Sequence, residues 1–267
     1  MNKKSFLALA TLLLAAPLAQ GAVLMLDFGT TVVSGASQTS SPYHTVAGAG
    51  FTDPSWNQIQ TADVTSLVYS DNSAATGLAL NLGNTTGANT TLGLGNTPGN
   101  SAALGDSVTG GVYGGTSVGT DGIFHGSSGN TRAVGFQLTG LAAGTYEIYV
   151  TARNTSTAAA NSQTVYVAGG TALAANGTFD FSGYTSQTIS YTGSTDVNAN
   201  WVETDNYLKF TLTLTAGQAL NLAVIGGSGE NRGFLNSVQI VAVPENSAGL
   251  LSLAAAGVLF SIRRRRR

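Results

Sequence analysis

Apolar and polar residues alternate in short runs along this chain, and glycine or asparagine closes the runs. Residues 207–215 place Leu208, Phe210, Leu212 and Leu214 on one face and Lys209, Thr211 and Thr213 on the other. Residues 144–153 set Tyr146, Ile148 and Val150 against Glu147, Tyr149 and Thr151. Residues 131–139 set Val134, Phe136 and Leu138 against Ala133, Gly135, Gln137 and Thr139. Successive side chains take opposite faces only along a strand, so a period of two in β-branched and aromatic residues predicts strands. Segments 22–28, 165–167, 178–181, 188–191, 219–225 and 234–243 add further strands, and no amphipathic helix is predicted between residues 22 and 242. Many short strands at this spacing predict an all-β fold, a single β-sandwich or jelly roll.

Such a domain must hold together by burial alone. The chain has no cysteine, so disulfides, thiolate metal sites and cysteine catalysis are excluded. Residues 22–242 are long enough for a sizeable core. They carry four basic residues (Arg132, Arg153, Lys209, Arg232) against twelve acidic ones, a net charge of −8, although the whole chain stands at −2. An acidic surface repels phosphate backbones, which argues against nucleic-acid binding. The link at Leu138-Thr139-Gly140-Leu141-Ala142-Ala143-Gly144-Thr145-Tyr146 ends one strand and starts the next. Leu-Gly-Asn-Thr occurs at Leu82 and again at Leu94, an offset suited to a glycine-rich hairpin or a loop. Residues 84–129 hold the fewest core candidates.

Both ends of the chain carry a different chemistry. Residues 1–4 are basic, 5–18 are mostly apolar, and Ala19-Gln20-Gly21 offers small residues where a signal peptidase cuts, so residues 1–21 form a signal peptide with cleavage expected after Gly21. At the other end Val243, Pro244 and Glu245 precede an apolar segment, 248–262, and five arginines, Arg263, Arg264, Arg265, Arg266 and Arg267. That segment is shorter than the usual 20 or so residues of a transmembrane helix, and the arginines after it form a cytoplasmic stop. The order of parts in residues 243–267 resembles the PEP-CTERM sorting signal. The resemblance implies recognition by an exosortase-type processing enzyme, cleavage near the motif, and passage to the cell surface or extracellular matrix. Asn246 stands where the motif has its second proline, which bears on processing more than on targeting. An uncut membrane anchor is the alternative.

A second resemblance lies inside the domain. Leu26-Asp27-Phe28-Gly29 and Gly233-Phe234-Leu235-Asn236, the latter running into the sorting signal, are similar to the first and last strands of a group of secreted proteins with galactose-binding-type jelly rolls. The resemblance implies that these strands lie close together and assigns no activity. Asp27 and Asn236 are expected to cap strands or hydrogen-bond loops.

Catalytic chemistry is hard to assemble. Leu104-Gly105-Asp106-Ser107 resembles the nucleophile block of the Gly-Asp-Ser esterases, with Asp121 and His125 downstream. The serine is mid-chain, the Asp–His spacing is one residue too long, and that family's helices are missing. Two histidines, His44 and His125, share no ligand spacing and read as exposed loop residues. Asp196, Asn198, Asn200 and Glu203 place oxygen donors at near-alternate positions, a weak structural calcium candidate, without the glycine and distal glutamate of an EF-hand. No other cofactor is expected. Sugar faces stack on aromatic rings, and Trp56 and Trp201 are the candidate glycan contacts. The sequence thus predicts a non-catalytic exported protein that contacts extracellular polysaccharide. An exported hydrolase acting on polysaccharide or ester, and a purely structural matrix protein, are the alternatives.

Overall fold

The alternating runs form strands, and around them lie shorter strands that no alternation announced. The computed structural model describes residues 23–30, 40–48, 55–60, 62–85, 90–96, 100–102, 110–114, 117–126, 131–157, 159–192 and 199–244. Fifteen strands lie among these residues: β1 (Val23–Phe28), β2 (Asn57–Ile59), β3 (Ala79–Asn84), β4 (Thr91–Leu94), β5 (Asn100–Ala102), β6 (Gly122–Phe124), β7 (Ala133–Thr139), β8 (Gly144–Thr151), β9 (Asn161–Thr171), β10 (Thr178–Asp180), β11 (Thr185–Tyr191), β12 (Leu208–Leu214), β13 (Gln218–Gly226), β14 (Phe234–Leu235) and β15 (Ser237–Ala242). The signal peptide, Glu245, the apolar segment 248–262 and Arg263 to Arg267 lie outside the described residues. Within them, no helix is long and apolar enough to cross a membrane.

Two large sheets face each other. The first has the order β12-β8-β15-β1-β2, the second β10-β4-β3-β7-β13-β9-β11, and a small third sheet runs β14-β6-β5. Pairing is antiparallel throughout except between β1 and β2. Period-two patterning explains the layering. Leu24, Leu26 and Phe28 of β1, Ile148 and Val150 of β8, and Val238 and Ile240 of β15 meet Leu80 and Leu82 of β3, Val134, Phe136 and Leu138 of β7, and Leu222 and Val224 of β13 in one core. Phe28 and Phe136 stack across the two sheets, with ring centroids 5.7 Å apart. A smaller core, built on Leu92, Leu94, Phe179 and Phe181, packs against Ala133 and Ala223.

Two features differ from the expectations. Helix α1 (Pro42–Ala47) forms where none was predicted; Ser41 is its N-cap and proline opens its first turn, two local signals that outweigh the absence of a helical period in so short an element. The predicted strand 234–243 is broken at Asn236, and its halves join different sheets, β14 pairing with β6 and β15 with β8 and β1. The link at Gly140 ends β7 and starts β8 as expected, and it joins strands of opposite sheets. A side chain at Gly140 would strike the Gly77 carbonyl. β3 and β4, which carry the start of each Leu-Gly-Asn-Thr segment, pair antiparallel, with Gly83 opposite Leu94.

Candidate functional site

Two places in the sandwich gather groups that ordinary packing does not require. One is the end where β1 and β8 finish and β15 begins. Asn236 organises it: its Nδ2 donates to the carbonyls of Gly119 (3.2 Å) and Asp121 (2.7 Å), and its Oδ1 accepts from the Arg153 N–H (2.7 Å). Its main chain accepts from Phe28 N–H and donates to the Thr151 carbonyl. The two motifs that carried the jelly-roll resemblance are therefore side by side, and Asn236 bonds loops as expected.

Asp27 does not. It is fully buried, and neither carboxyl oxygen meets a hydrogen-bond partner among the described residues. The reason is register. Asp27 lies opposite Gln58 on one side and Ser237 on the other, and Ser237 lies opposite Thr151. Cross-strand partners share a face, so Gln58, Asp27, Ser237 and Thr151 form one row across four strands. This row is on the face away from the inter-sheet core, since the alternate residues Leu26 and Phe28 point into it. Among the described residues, Thr151 Oγ1 and Gln58 Nε2 are also buried without a partner. The Asp121 carboxylate presses against Gly29, where a Cβ would lie 2.3 Å from Oδ2 and where φ is +139°. Burial, then the Asp121 charge, pushes the Asp27 carboxyl up to about 9.

Next to this row Arg153 is wholly buried, its guanidinium 4.7 Å from the centre of the Tyr113 ring and 4.3 Å from that of Tyr191. Trp201 belongs to the same packing: it meets Tyr113 edge-on, donates from Nε1 to Ser40 Oγ at 3.2 Å and is only 4% exposed. A sugar cannot stack on it, and the expectation of a Trp201 platform is corrected by that burial. Trp56 is half-buried, packed against the main core.

The remaining sequence candidates are scattered. Ser107, Asp196 and Asn198 lie outside the described residues. Asn200 and Glu203 are exposed, and Asn200 uses its carbonyl to accept from Asn206 Nδ2. His44 is buried in α1 rather than exposed in a loop, because the capped turn folds it inward beside Ser41; burial lowers its pKa to about 4. His125 is half-buried, and burial and then the Arg132 charge lower its pKa. Among the described residues no three His, Cys, Asp or Glu side chains gather to hold a metal.

The second place is the opposite end, where β8 begins and β15 finishes. A cleft of about 380 Å³ opens there between the sheets, walled by Leu24, Leu78, Leu141, Ile240 and the two tyrosines Tyr69 and Tyr146, with Thr76 at its side. Tyr146 is anchored by its hydroxyl to the Ala142 carbonyl at 2.8 Å. Tyr69 is half-buried and held by its backbone, which pairs with Leu24 and accepts from Asn72. No lining residue carries a charge. Tyr69 sits in an irregular segment with no alternation around it, so no sequence signal marked it.

No family model matches the chain, and no curated protein matches it. Solved structures that it resembles include a CBM35 from Cellvibrio japonicus Abf62, at 12% identity and a TM-score of 0.26, covering 46% of this chain and 74% of that one. TmCBM61 in complex with β-1,4-galactotriose matches at 10% identity and a TM-score of 0.22, covering 47% of this chain and 72% of that one. Arthrobacter globiformis T6 isomalto-dextranase complexed with panose matches at 22% identity and a TM-score of 0.23, covering 45% of this chain and 18% of that one.

Proposed function

We propose that this chain is a non-catalytic exported protein that contacts glycan through the cleft beside Tyr69. In this reading residues 1–21 direct export, and residues 243–267 hold the precursor in the membrane until an exosortase-type enzyme passes it to the surface or matrix. The observation behind glycan contact is the cleft itself. Its volume suits one sugar ring. Its walls are aliphatic and aromatic, and Thr76 with the nearby main chain supplies hydroxyl and carbonyl groups. Tyrosine offers a flat apolar face with a polar tip, the combination a pyranose needs.

The hydrolase alternative requires an acid and a base within reach of substrate. The cleft lining has neither, and the carboxylates of Asp27 and Asp121 are both fully buried. The test is affinity electrophoresis of the full chain through gels that contain soluble polysaccharides. At least one polysaccharide retards the wild type. Tyr69→Ala, which leaves the melting temperature within a few degrees, weakens that retardation roughly tenfold, whereas Trp56→Ala preserves it. A wild-type protein that migrates freely in every gel would remove glycan contact and leave the purely structural role.

A further inference from the structure

We infer that β11 is a seam through which two copies of this chain join, edge to edge, so that the seven-stranded sheet runs on into a partner molecule. None of its residues lines the cleft, and the inference does not depend on the glycan reading.

A strand at the edge of a sheet shows a row of main-chain N–H and C=O groups to whatever comes next. Folded proteins guard such rows by shortness, charge, proline or a bulge. Among the described residues six strands are edges: β12 and β2, β10 and β11, β14 and β5. Four of them are too short to template a partner, since β2, β5 and β10 have three residues and β14 has two. β12 has seven, but it carries Lys209, which pairs with Glu147 at 2.7 Å. The Lys209 carbonyl also accepts from Gln187 Nε2 at 2.6 Å. β11 is the edge without a guard. Its seven residues, Thr185 to Tyr191, include no charge and no proline, and they pair one-to-one with β9 without a bulge. Thr185, Ser186, Thr188 and Ser190 are exposed.

The same strand selects a second copy of itself as the occupant. Opposed residues of an antiparallel pair share a face. A two-fold axis at Thr188 therefore sets Thr188 against its own copy, and Ser186 against Ser190 of the partner subunit. Hydroxyl meets hydroxyl along the exposed row. That pairing already joins β11 to β9, where the Thr188 and Thr164 hydroxyls are 2.8 Å apart. On the inner row Gln187 meets Ile189, and neither brings a charge. Residues 22–242 carry a net charge of −8, yet none of it lies on this strand. Each molecule offers one such edge, so the contact closes a dimer and does not grow a fibre. A single edge buries less than a standard interface, which sets Kd on the order of 10–100 µM.

The experiment follows hydrogen exchange in the peptide that covers β11, in the full chain, in mild detergent. Exchange is read at about 1 µM and about 300 µM, on either side of that Kd. Wild-type β11 amides exchange roughly fivefold more slowly at the higher concentration. Ser186→Lys/Ser190→Lys places two like-charge pairs across the seam and loses that slowing. Ser186→Lys/Ser190→Glu sets each lysine against a glutamate of the partner and keeps it. If either double variant fails to fold by circular dichroism, Thr188→Lys and Thr188→Glu replace them: neither slows exchange alone, and their equimolar mixture does. Wild-type exchange that is the same at both concentrations overturns the inference. So does a slowing that the double-lysine variant retains, and a lysine–glutamate variant that behaves like the double-lysine one overturns the pairing about Thr188.

Discussion

Burial alone would keep a proton on Glu230, yet its partners reverse the balance. Arg232 donates from Nε and Nη2 to the two carboxyl oxygens at 2.9 Å each, its backbone N–H adds a third bond, and Asn154 Nδ2 adds a fourth at 2.7 Å. Against the upward push of burial, these bonds and the Arg232 charge hold the Glu230 carboxyl below its ordinary value. The guanidinium also lies 5.0 Å from the Phe124 ring and 5.1 Å from the Phe234 ring, so the pair fastens the small third sheet. A carboxyl depressed in the folded state stabilises above its unfolded value, and that stability is lost as pH falls through the folded one. Wild type should therefore lose stability below about pH 4.5 more steeply than Glu230→Gln, which starts lower at pH 7. Urea denaturation at stepped pH reads both slopes. Asp27 and Asn236 were the two residues of the buried end that the sequence marked. The residues around them were not marked for this place, since Thr151 and Gln58 share the row of Asp27 only through strand register and Asp121 enters only through a loop.

Among the elements, β12 realises the alternating pattern most completely, with Leu208, Phe210 and Leu214 buried against exposed Thr211 and Thr213, whereas β7 is buried on both faces. Val134, Phe136 and Leu138 are fully buried at the centre of the second sheet, between β3 and β13. Phe136→Ala removes the ring that stacks on Phe28 and should lower the unfolding free energy by about 3–5 kcal/mol, read from the midpoint and slope of urea denaturation. Strands of seven or more residues were mostly legible because they establish a period, although β9 was read only at 165–167 and the six-residue β3 was missed. β2, β5 and β6 have three residues each and cannot establish one. β1 hid a different fact. Its alternation is broken because both faces are buried: Leu24, Leu26 and Phe28 face the core, while Val23, Met25 and Asp27 point the other way, where α1 packs. Tyr43 of α1 meets the Tyr149 ring at 5.5 Å and donates its N–H to Gln239 Oε1. The cleft was invisible for a related reason, because its tyrosines come from a strand start and from a coil.

At the scale of the whole molecule, the first and last strands of the domain are neighbours in the middle of a sheet, with Val23 opposite Val241 and β15 between β8 and β1. Removing β15 leaves two interior strands with unsatisfied edges. A chain that stops at Asn236 should therefore stay sensitive to dilute protease, whereas one that stops at Pro244 resists it; limited proteolysis followed by mass measurement separates the two. The pairing also sets an order in time. β1 can meet β2 early, but it finds its antiparallel partner β15 only after almost everything else in the domain has been made, so the slow, long-range closure comes at the end of the folding reaction. Until then one edge of β1 stays open. If the chain is exported as proposed, the final strand is also among the last parts of the domain to emerge, and the sandwich would lock only once that strand is across.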